Sequence, residues 1–356
     1  MVSVGVDIHK RSGFAVFKDD DGRVLGSFRF INNGCGIAEL VQKLQVFGDV
    51  RVAMESSGNY WVRLYEALEG KGISVVLSNP LKTRAIAEAK IKTDRLDAST
   101  LADLLRADLV AESYVPSRQV RDRRALLRYR SCLVRTRSMV KNRVHALLDK
   151  YELSHGFTDL FGARGRRWLE GLELPGNDGL ILKMALAEIE KLDELVEGVS
   201  NVIAKEARVE LLMGFKGIDY YIAMILVNEI GDINRFNSAR KLVGWAGLCP
   251  SLHQSGGKCR MGRITKQGNR WVRWALTQAA HQAARYDPKL KGFFERVAGR
   301  GGTQKAVVAV ARKMLVSIYY VLKRGEVYHG EDLELKGRKV NRLYGRVSRG
   351  LHAGRG

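Results

Sequence analysis

Lys92-Thr93-Asp94-Arg95-Leu96-Asp97-Ala98 opens a helical pattern that runs on through Leu101, Leu104 and Leu105. Residues three apart share a helix face, so Asp94 and Asp97 point the same way. Like charges so placed repel unless a cation sits between them. Alone, the stretch reads as a capping turn, because acids favour a helix start. Two further acids shift that balance. Asp7 ends the apolar run Val2-Ser3-Val4-Gly5-Val6, and Glu55 ends Val52-Ala53-Met54. A carboxylate at the end of a buried strand costs free energy unless it is paired or holds a metal. Four acids from two strands and one helix can converge on hard, oxygen-liganded cations such as Mg²⁺.

Strand Asp, strand Glu, helix Asp and Asp is the layout of a ribonuclease-H-like, RuvC-type nuclease site, in which two metals clamp the attacking and leaving oxygens of a phosphodiester. The flanking pattern agrees. Residues 2–8, 12–18 and 23–30 read as three strands with short connections, Asp20-Asp21-Gly22 marking a hairpin turn. Ile37 to Phe47 has a helical stripe, Arg51 to Glu55 a fourth strand, Tyr60 to Leu68 a helix and Ile73 to Leu77 a fifth strand. Helices follow from about Lys82 to Arg106. Three antiparallel strands followed by alternating helix and strand place an α/β catalytic domain at 1–112.

The remainder reads as mainly helical. Ser117 to Tyr151 is a long basic helix; residues 118–150 hold 11 Arg/Lys against Asp122 and Asp149. Leu126, Leu133, Val140 and Leu147 recur every seventh residue, as in a coiled-coil seam, although Arg130 and Arg137 occupy the other seam position. Gly162 to Gly176 is Gly- and Arg-rich and reads as irregular. Leu180 to Val209 is a second long helix. The two helices would form an antiparallel arm over 113–205, or pack on their own domains. A C-terminal domain spans 206–325. Leu211 to Asp219 resembles a helix-hairpin-helix turn but carries Lys216 and Asp219 where Pro and Gly are usual; an acid facing a phosphate points to a structural element. A polar, glycine-rich loop follows Gln254 and continues to Gly262, and Ile264-Thr265-Lys266-Gln267-Gly268-Asn269 leads into a helix. The tail, 326–356, has seven Lys/Arg and no acid from Lys336 onward, and is expected to be mobile until it meets nucleic acid.

Composition limits the partners. The chain has 356 residues, 46% of them hydrophobic, enough for two or three cored domains. Its 60 Lys+Arg against 38 Asp+Glu leave a net charge of +22, which points to a polyanion, nucleic acid first. An anionic membrane is the runner-up, yet no apolar run reaches the roughly 18 residues of a spanning helix. Cys35, Cys132, Cys249 and Cys259 are scattered without a C-x-x-C pair, as expected for reduced cytoplasmic thiols. The N-terminus shows no signal-peptide pattern. Basic residues of 118–143, among them Arg128, Arg135 and Lys141, form either a solvated face or an RNA-backbone surface; Lys266, Arg270 and Arg273 are placed to steady phosphates.

The motifs in series resemble the DEDD transposases and site-specific recombinases of bacterial insertion sequences, the group that includes the Piv DNA invertase. The marks are Val6-Asp7-Ile8-His9-Lys10, Met54-Glu55-Ser56-Ser57-Gly58 and Lys92 to Ala98. Further on come Gly231-Asp232-Ile233-Asn234-Arg235-Phe236, Ala246-Gly247-Leu248-Cys249-Pro250, Gln254-Ser255-Gly256 and Ile264 to Asn269. The resemblance implies a Mg²⁺-dependent recombinase with Asp7, Glu55, Asp94 and Asp97 as metal ligands and Ser255 as nucleophile. It implies a noncoding bridge RNA that pairs with target and donor DNA. It also implies a composite active site, acids from one protomer and serine from another, in a dimer that pairs into a tetramer, acting in the bacterial cytoplasm at the nucleoid. Without the resemblance, Ser255 reads as one loop serine among several. A junction nuclease without a covalent intermediate, and a non-enzymatic basic nucleic-acid-binding protein, are the alternatives left by the residues themselves.

Overall fold

The computed structural model describes residues 1–56, 58–86, 93–205, 209–255, 258–328, 330 and 332–352. Of the motif residues, Ser57, Lys92 and Gly256 lie outside the described residues, and Ser255 is described by its backbone alone. The chain divides into two units, Met1–Pro116 and Ser117–Gly356.

The first unit runs β1 (Val2–Ile8), β2 (Ser12–Lys18), β3 (Val24–Ile31), α1 (Gly34–Gln45), β4 (Val50–Glu55), α2 (Trp61–Glu69), β5 (Ser74–Ser78), α3 (Pro80–Ile86) and α4 (Asp94–Arg106). The sheet order is β3-β2-β1-β4-β5. The first three strands pair antiparallel, while β1–β4 and β4–β5 pair parallel. The period-2 pattern of β1 is buried on both faces. Val4, Val6 and Ile8 join Leu40 and Leu44 of α1 and Leu64 and Leu68 of α2 in one core. The other face is small: Ser3, Gly5, then Asp7.

Gly5 explains that small face. A Cβ built there would lie 1.9 Å from the Ala98 carbonyl oxygen and 2.5 Å from the Ala102 amide nitrogen. The backbone of α4 therefore rests directly on β1, with Ala98 and Ala102 fully buried at the contact. Leu101 and Leu105 continue the seam onto Ala53 of β4. Lys18, buried on β2, closes the contact with Asp103 at 2.6 Å.

The second unit runs α5 (Arg118–Lys150), α6 (Ala163–Glu170), α7 (Asn177–Lys205), α8 (Glu210–Met213), α9 (Tyr220–Ile230), a 3₁₀ turn (Ile233–Arg235) and α10 (Ala239–Trp245). It continues with β6 (Pro250–Ser255), β7 (Lys258–Ile264), α11 (Arg270–Tyr286), α12 (Pro288–Gly301), α13 (Thr303–Arg324) and α14 (Leu333–His352). Helices α5 and α7 pack antiparallel: Arg130 bonds Ser200, Arg137 pairs with Asp193, and Lys150 pairs with Asp178. The two arginines in seam positions are thus accommodated by polar partners on α7. Leu133, Val140, Val144 and Leu148 bury against Leu182, Ile189, Leu192 and Val196.

Three expectations are corrected here. Residues 162–176 are not irregular throughout: α6 forms because Leu169 buries against the pair, Arg166 reaches Asp193 at 2.6 Å, and Gly165 lies so close to Leu160 that a Cβ would meet its carbonyl at 2.1 Å. The loop expected through Gly262 contains an antiparallel hairpin, β6 with β7, in which Ser255 pairs with Lys258 and Pro250 with Ile264. The basic tail is not a mobile extension over 333–352 but helix α14. Its Leu343 is buried in the main helical core, and Arg346 pairs with Glu197 at 2.7 Å.

Lys339 of α14 explains the odd helix-hairpin-helix turn. Its Nζ donates to the carbonyls of Met213, Phe215 and Ile218 at 2.7–2.8 Å. Burial brings its pKa down to about 8, which still leaves it mainly an ammonium at neutral pH, with three donors for three acceptors. Lys216 faces Asp332 at 3.6 Å. Asp219 caps α9, accepting from the Ile222 amide. The turn docks the C-terminal helix and spends its acid on its own backbone, in line with a structural element.

Candidate active site

The parallel register of β1 with β4 matches Val6 to Met54. Asp7 and Glu55, each one residue further on, therefore stand side by side at the C-terminal ends of neighbouring strands. In-register residues of adjacent strands share a face. Asp7 also shares a face with Gly5, the face that α4 covers. Two residues of strand span about 6.6 Å, and four residues of helix about 6 Å. Moving from Gly5 to Asp7 along the strand thus corresponds to moving from Ala98 back to Asp94 along the helix. The close approach at Gly5 delivers the α4 N-terminus to Asp7.

Thr93, not an aspartate, caps α4: its hydroxyl accepts from the Leu96 amide at 3.2 Å. The capping role offered by the first stretch is already filled, so Asp94 and Asp97 face the strand ends as carboxylates. His9 Nε2 lies 3.1 Å from Asp7 Oδ2 and 3.4 Å from Asp94 Oδ1. Asp7, His9 and Asp94 each offer a ligand atom within 4.8 Å of the others. Arg29 approaches Asp94 from β3 at 3.8 Å. Glu55 is half-buried at its strand end, and Asp97 is half-exposed.

The electrostatics of Asp7 follow from this placement. Its side chain is only 15% exposed. Burial raises its pKa above the usual carboxylate value; His9 opposes this, and the Asp94 and Asp97 charges add to it. A mostly buried carboxyl that is pressed by two others is an arrangement a cation relieves. Ligand atoms all within 4.8 Å of one another are close enough to share one cation. Carboxylate oxygens suit Mg²⁺ or Mn²⁺, and an imidazole nitrogen tilts the set toward Mn²⁺.

Two further residues support the site. His9, which two residues after Asp7 reads in sequence either as a metal or phosphate contact or, more simply, as a surface histidine, is 55% exposed and bridges two of the acids. Asn32, buried at the end of β3, donates to the His9 carbonyl at 2.8 Å and to the Tyr60 carbonyl at 3.4 Å. It ties the turn after β1 to the entry of α2. The adjacent Asn32-Asn33 before a helix was the available signal, since Asn33 caps α1.

The nucleic-acid candidates of the second unit separate into two groups. Arg128 is engaged internally: it forms a bidentate pair with Glu229 at 2.7 and 2.8 Å. Glu229 is 1% exposed and also accepts from Asn269 at 2.7 Å. Arg273 donates to the Ala246 carbonyl at 2.9 Å, and burial lowers its pKa. Lys141 covers the Phe161 ring at 4.5 Å. Arg135, Lys266 and Arg270 are exposed, with Lys266 in a left-handed backbone conformation, φ 55°. Asn269, from the Ile264–Asn269 motif, caps α11 through the Trp271 and Val272 amides. Much of that motif therefore serves packing: Gly268 has φ 134°, and a Cβ there would meet the Trp245 carbonyl at 2.0 Å.

A mixed α/β unit with converging strand and helix acids, joined in sequence to a mainly helical unit, defines an enzyme class once relatives are compared. Residues 4–152 match a family of DEDD type described as Transposase, and residues 209–295 match the Transposase IS116/IS110/IS902 family. The protein is a DNA transposase. It belongs to the DEDD transposases and recombinases of the IS110 group of insertion sequences. The transposase for insertion sequence element IS1111A of Coxiella burnetii is 29% identical over 298 residues, covering 78% of this chain and 79% of the relative. The pilin gene-inverting protein of Moraxella bovis is 26% identical over 337 residues, covering 91% and 97%. The putative transposase y4rJ of Sinorhizobium fredii is 28% identical over 362 residues, covering 90% and 88%. Among the described residues, no helix is long and apolar enough to cross a membrane.

Proposed function

We propose that the protein is an RNA-guided DNA recombinase that cuts and rejoins strands through a phosphoserine ester. The observation that carries the reading is the convergence of Asp7 and Asp94 beside His9, with Glu55 on the next strand. The strand order β3-β2-β1-β4-β5, three strands antiparallel and two parallel, supports a ribonuclease-H-like assignment for the first unit. Asp7, Glu55, Asp94 and Asp97 would hold Mg²⁺, which when bound offsets charge on the phosphoryl oxygens. Ser255 is the nucleophile. Its Oγ forms a bond to phosphorus, a DNA P–O bond breaks, and the serine proton leaves with the released DNA hydroxyl. A second DNA hydroxyl then displaces the serine, which regains its proton. Each exchange replaces one phosphate diester with another, so strands rejoin without ATP. Acids of one protomer act with Ser255 of another, in a dimer that pairs into a tetramer. The antiparallel α5–α7 arm is the proposed dimerisation element, with coiled-coil character in its Leu133–Val140 seam.

The RNA is the part most readily tested. Protein purified with nuclease treatment is expected to lack strand exchange on matched donor and target DNA. Adding a transcript of the element's flanking noncoding DNA restores it. Full activity of RNA-depleted protein on the same DNA would refute RNA guidance and leave a recombinase that reads DNA itself.

A further inference from the structure

A large groove lies within the second unit, beside the hairpin that carries Ser255. Its volume is about 1230 Å³. That exceeds the roughly 300–1,000 Å³ typical of small-molecule sites. One wall is the end of β7 and the turn after it, with Arg263 and Lys266; the other is α13, with Lys305, Arg312 and Lys313. The floor is apolar, including Ile264, Phe293 and Val308. No Asp or Glu lines it. All five cations are exposed, and none forms an ion pair with a described carboxylate. Five cations around a concave surface, with no ion-pairing carboxylate among the described residues, build a positive field that favours an anion.

The geometry of α13 narrows the anion to a polymer. Lys305, Arg312 and Lys313 fall on one helical stripe, seven and eight residues apart. At 1.5 Å per residue they span about 10–12 Å. One nucleic-acid strand presents a phosphate about every 3.4 Å of helix axis, so the stripe matches roughly three nucleotides. The helix also begins at Gly302 with no side-chain cap, and its first residues, Thr303 and Gln304, line the groove. Its first amides, without intrahelical acceptors, add donors along the same track.

We propose that this groove holds the backbone of the DNA strand that is cut. The position relative to Ser255 rests on the reading of that serine as nucleophile; the binding itself does not. Ile264 at the groove pairs with Pro250 at the hairpin base, and Ser255 is five residues further along β6. Five strand residues extend about 17 Å, which corresponds to about five nucleotides of one strand. The groove would grip the strand about that far from the scissile phosphate.

The test uses the full-length protein and a DNA oligonucleotide duplex, with binding followed by fluorescence anisotropy from low to high salt. The triple variant Lys305→Gln/Arg312→Gln/Lys313→Gln is compared with Lys71→Gln/Lys183→Gln/Lys241→Gln, which removes the same charge elsewhere. The groove variant is expected to lower the slope of log affinity against log salt by about two to three, near 0.9 per lost phosphate contact. Affinity at 0.1 M salt should fall at least tenfold, while the Lys71→Gln/Lys183→Gln/Lys241→Gln variant keeps the wild-type slope. An unchanged slope in the groove variant, with its folded spectrum intact, would overturn the proposal. Loss of RNA binding with DNA binding retained would overturn it too. Neither result depends on whether Ser255 carries the covalent bond.

Discussion

Asp7→Asn removes strand cleavage while leaving the metal-free protein at least as stable as the wild type. The variant is isosteric, so the packing of β1 against α4 is unchanged. What disappears is a charge largely shielded from water. Loss of a principal ligand from a metal-assisted phosphoryl transfer lowers the rate by about 10³-fold or more. The stability effect has the opposite sign. The Asp7 pKa is raised in the folded protein by burial and by Asp94 and Asp97. A carboxyl whose folded pKa lies above its unfolded value destabilises the fold once pH exceeds that folded pKa, and the penalty fades as pH falls through it. The neutral amide removes the penalty at pH 7. Thermal unfolding in chelator should therefore show a melting temperature equal to or above wild type, and Mg²⁺ should raise the wild-type value but not the variant's. A variant that cleaves at near wild-type rate would remove Asp7 from the chemistry. A variant that unfolds early would make it a structural residue.

Gly5→Val is expected to have the largest effect on the fold of the first unit. A Cβ there overlaps two backbone atoms of α4, at 1.9 and 2.5 Å. Backbone cannot swing aside as a side chain can, so the helix must move away as a body. Overpacking of this kind costs about 3 kcal/mol or more. The displacement also carries Asp94 and Asp97 away from Asp7, because α4 is the only element that brings them there. The expected result is a lowered melting temperature together with loss of Mg²⁺ binding and of cleavage. Gly5→Ala should show the same pattern in weaker form. Wild-type stability in Gly5→Val would mean that α4 does not rest on β1 as described.

The four acids were legible because chemistry and pattern coincide at them: a charged residue at the end of an apolar strand stands out against its surroundings. The strand and helix limits of the first unit were legible for the same reason, since alternation and turn residues agree there. The contact that assembles the site was not. Gly5 reads as one more residue of a valine-rich strand, although a glycine inside a strand often marks a close backbone approach. Asn32 was missed because its partners, the His9 and Tyr60 carbonyls, are distant in sequence, whereas His9, two residues after Asp7, was legible as one of two readings. The β6–β7 hairpin had a signal, Gly256-Gly257 between two short runs, which polar composition obscured. Arg128 and Arg273 looked like phosphate ligands because charge alone was counted; their partners, the buried Glu229 and the Ala246 carbonyl, come from other elements. The tail looked disordered by charge, whereas Leu343 and the carbonyl cradle of Lys339 make it part of the core.

The most direct measurement is a search for a covalent protein–DNA bond. The protein, its flanking noncoding transcript, matched DNA and Mg²⁺ are incubated, quenched with denaturant, and the linkage mapped by mass spectrometry. The account predicts a phosphate ester on Ser255 in the wild type, and none in Ser255→Ala or Asp7→Asn. Cleavage to unattached ends, persisting in Ser255→Ala and still dependent on Asp7, would contradict it and establish a hydrolytic nuclease in its place.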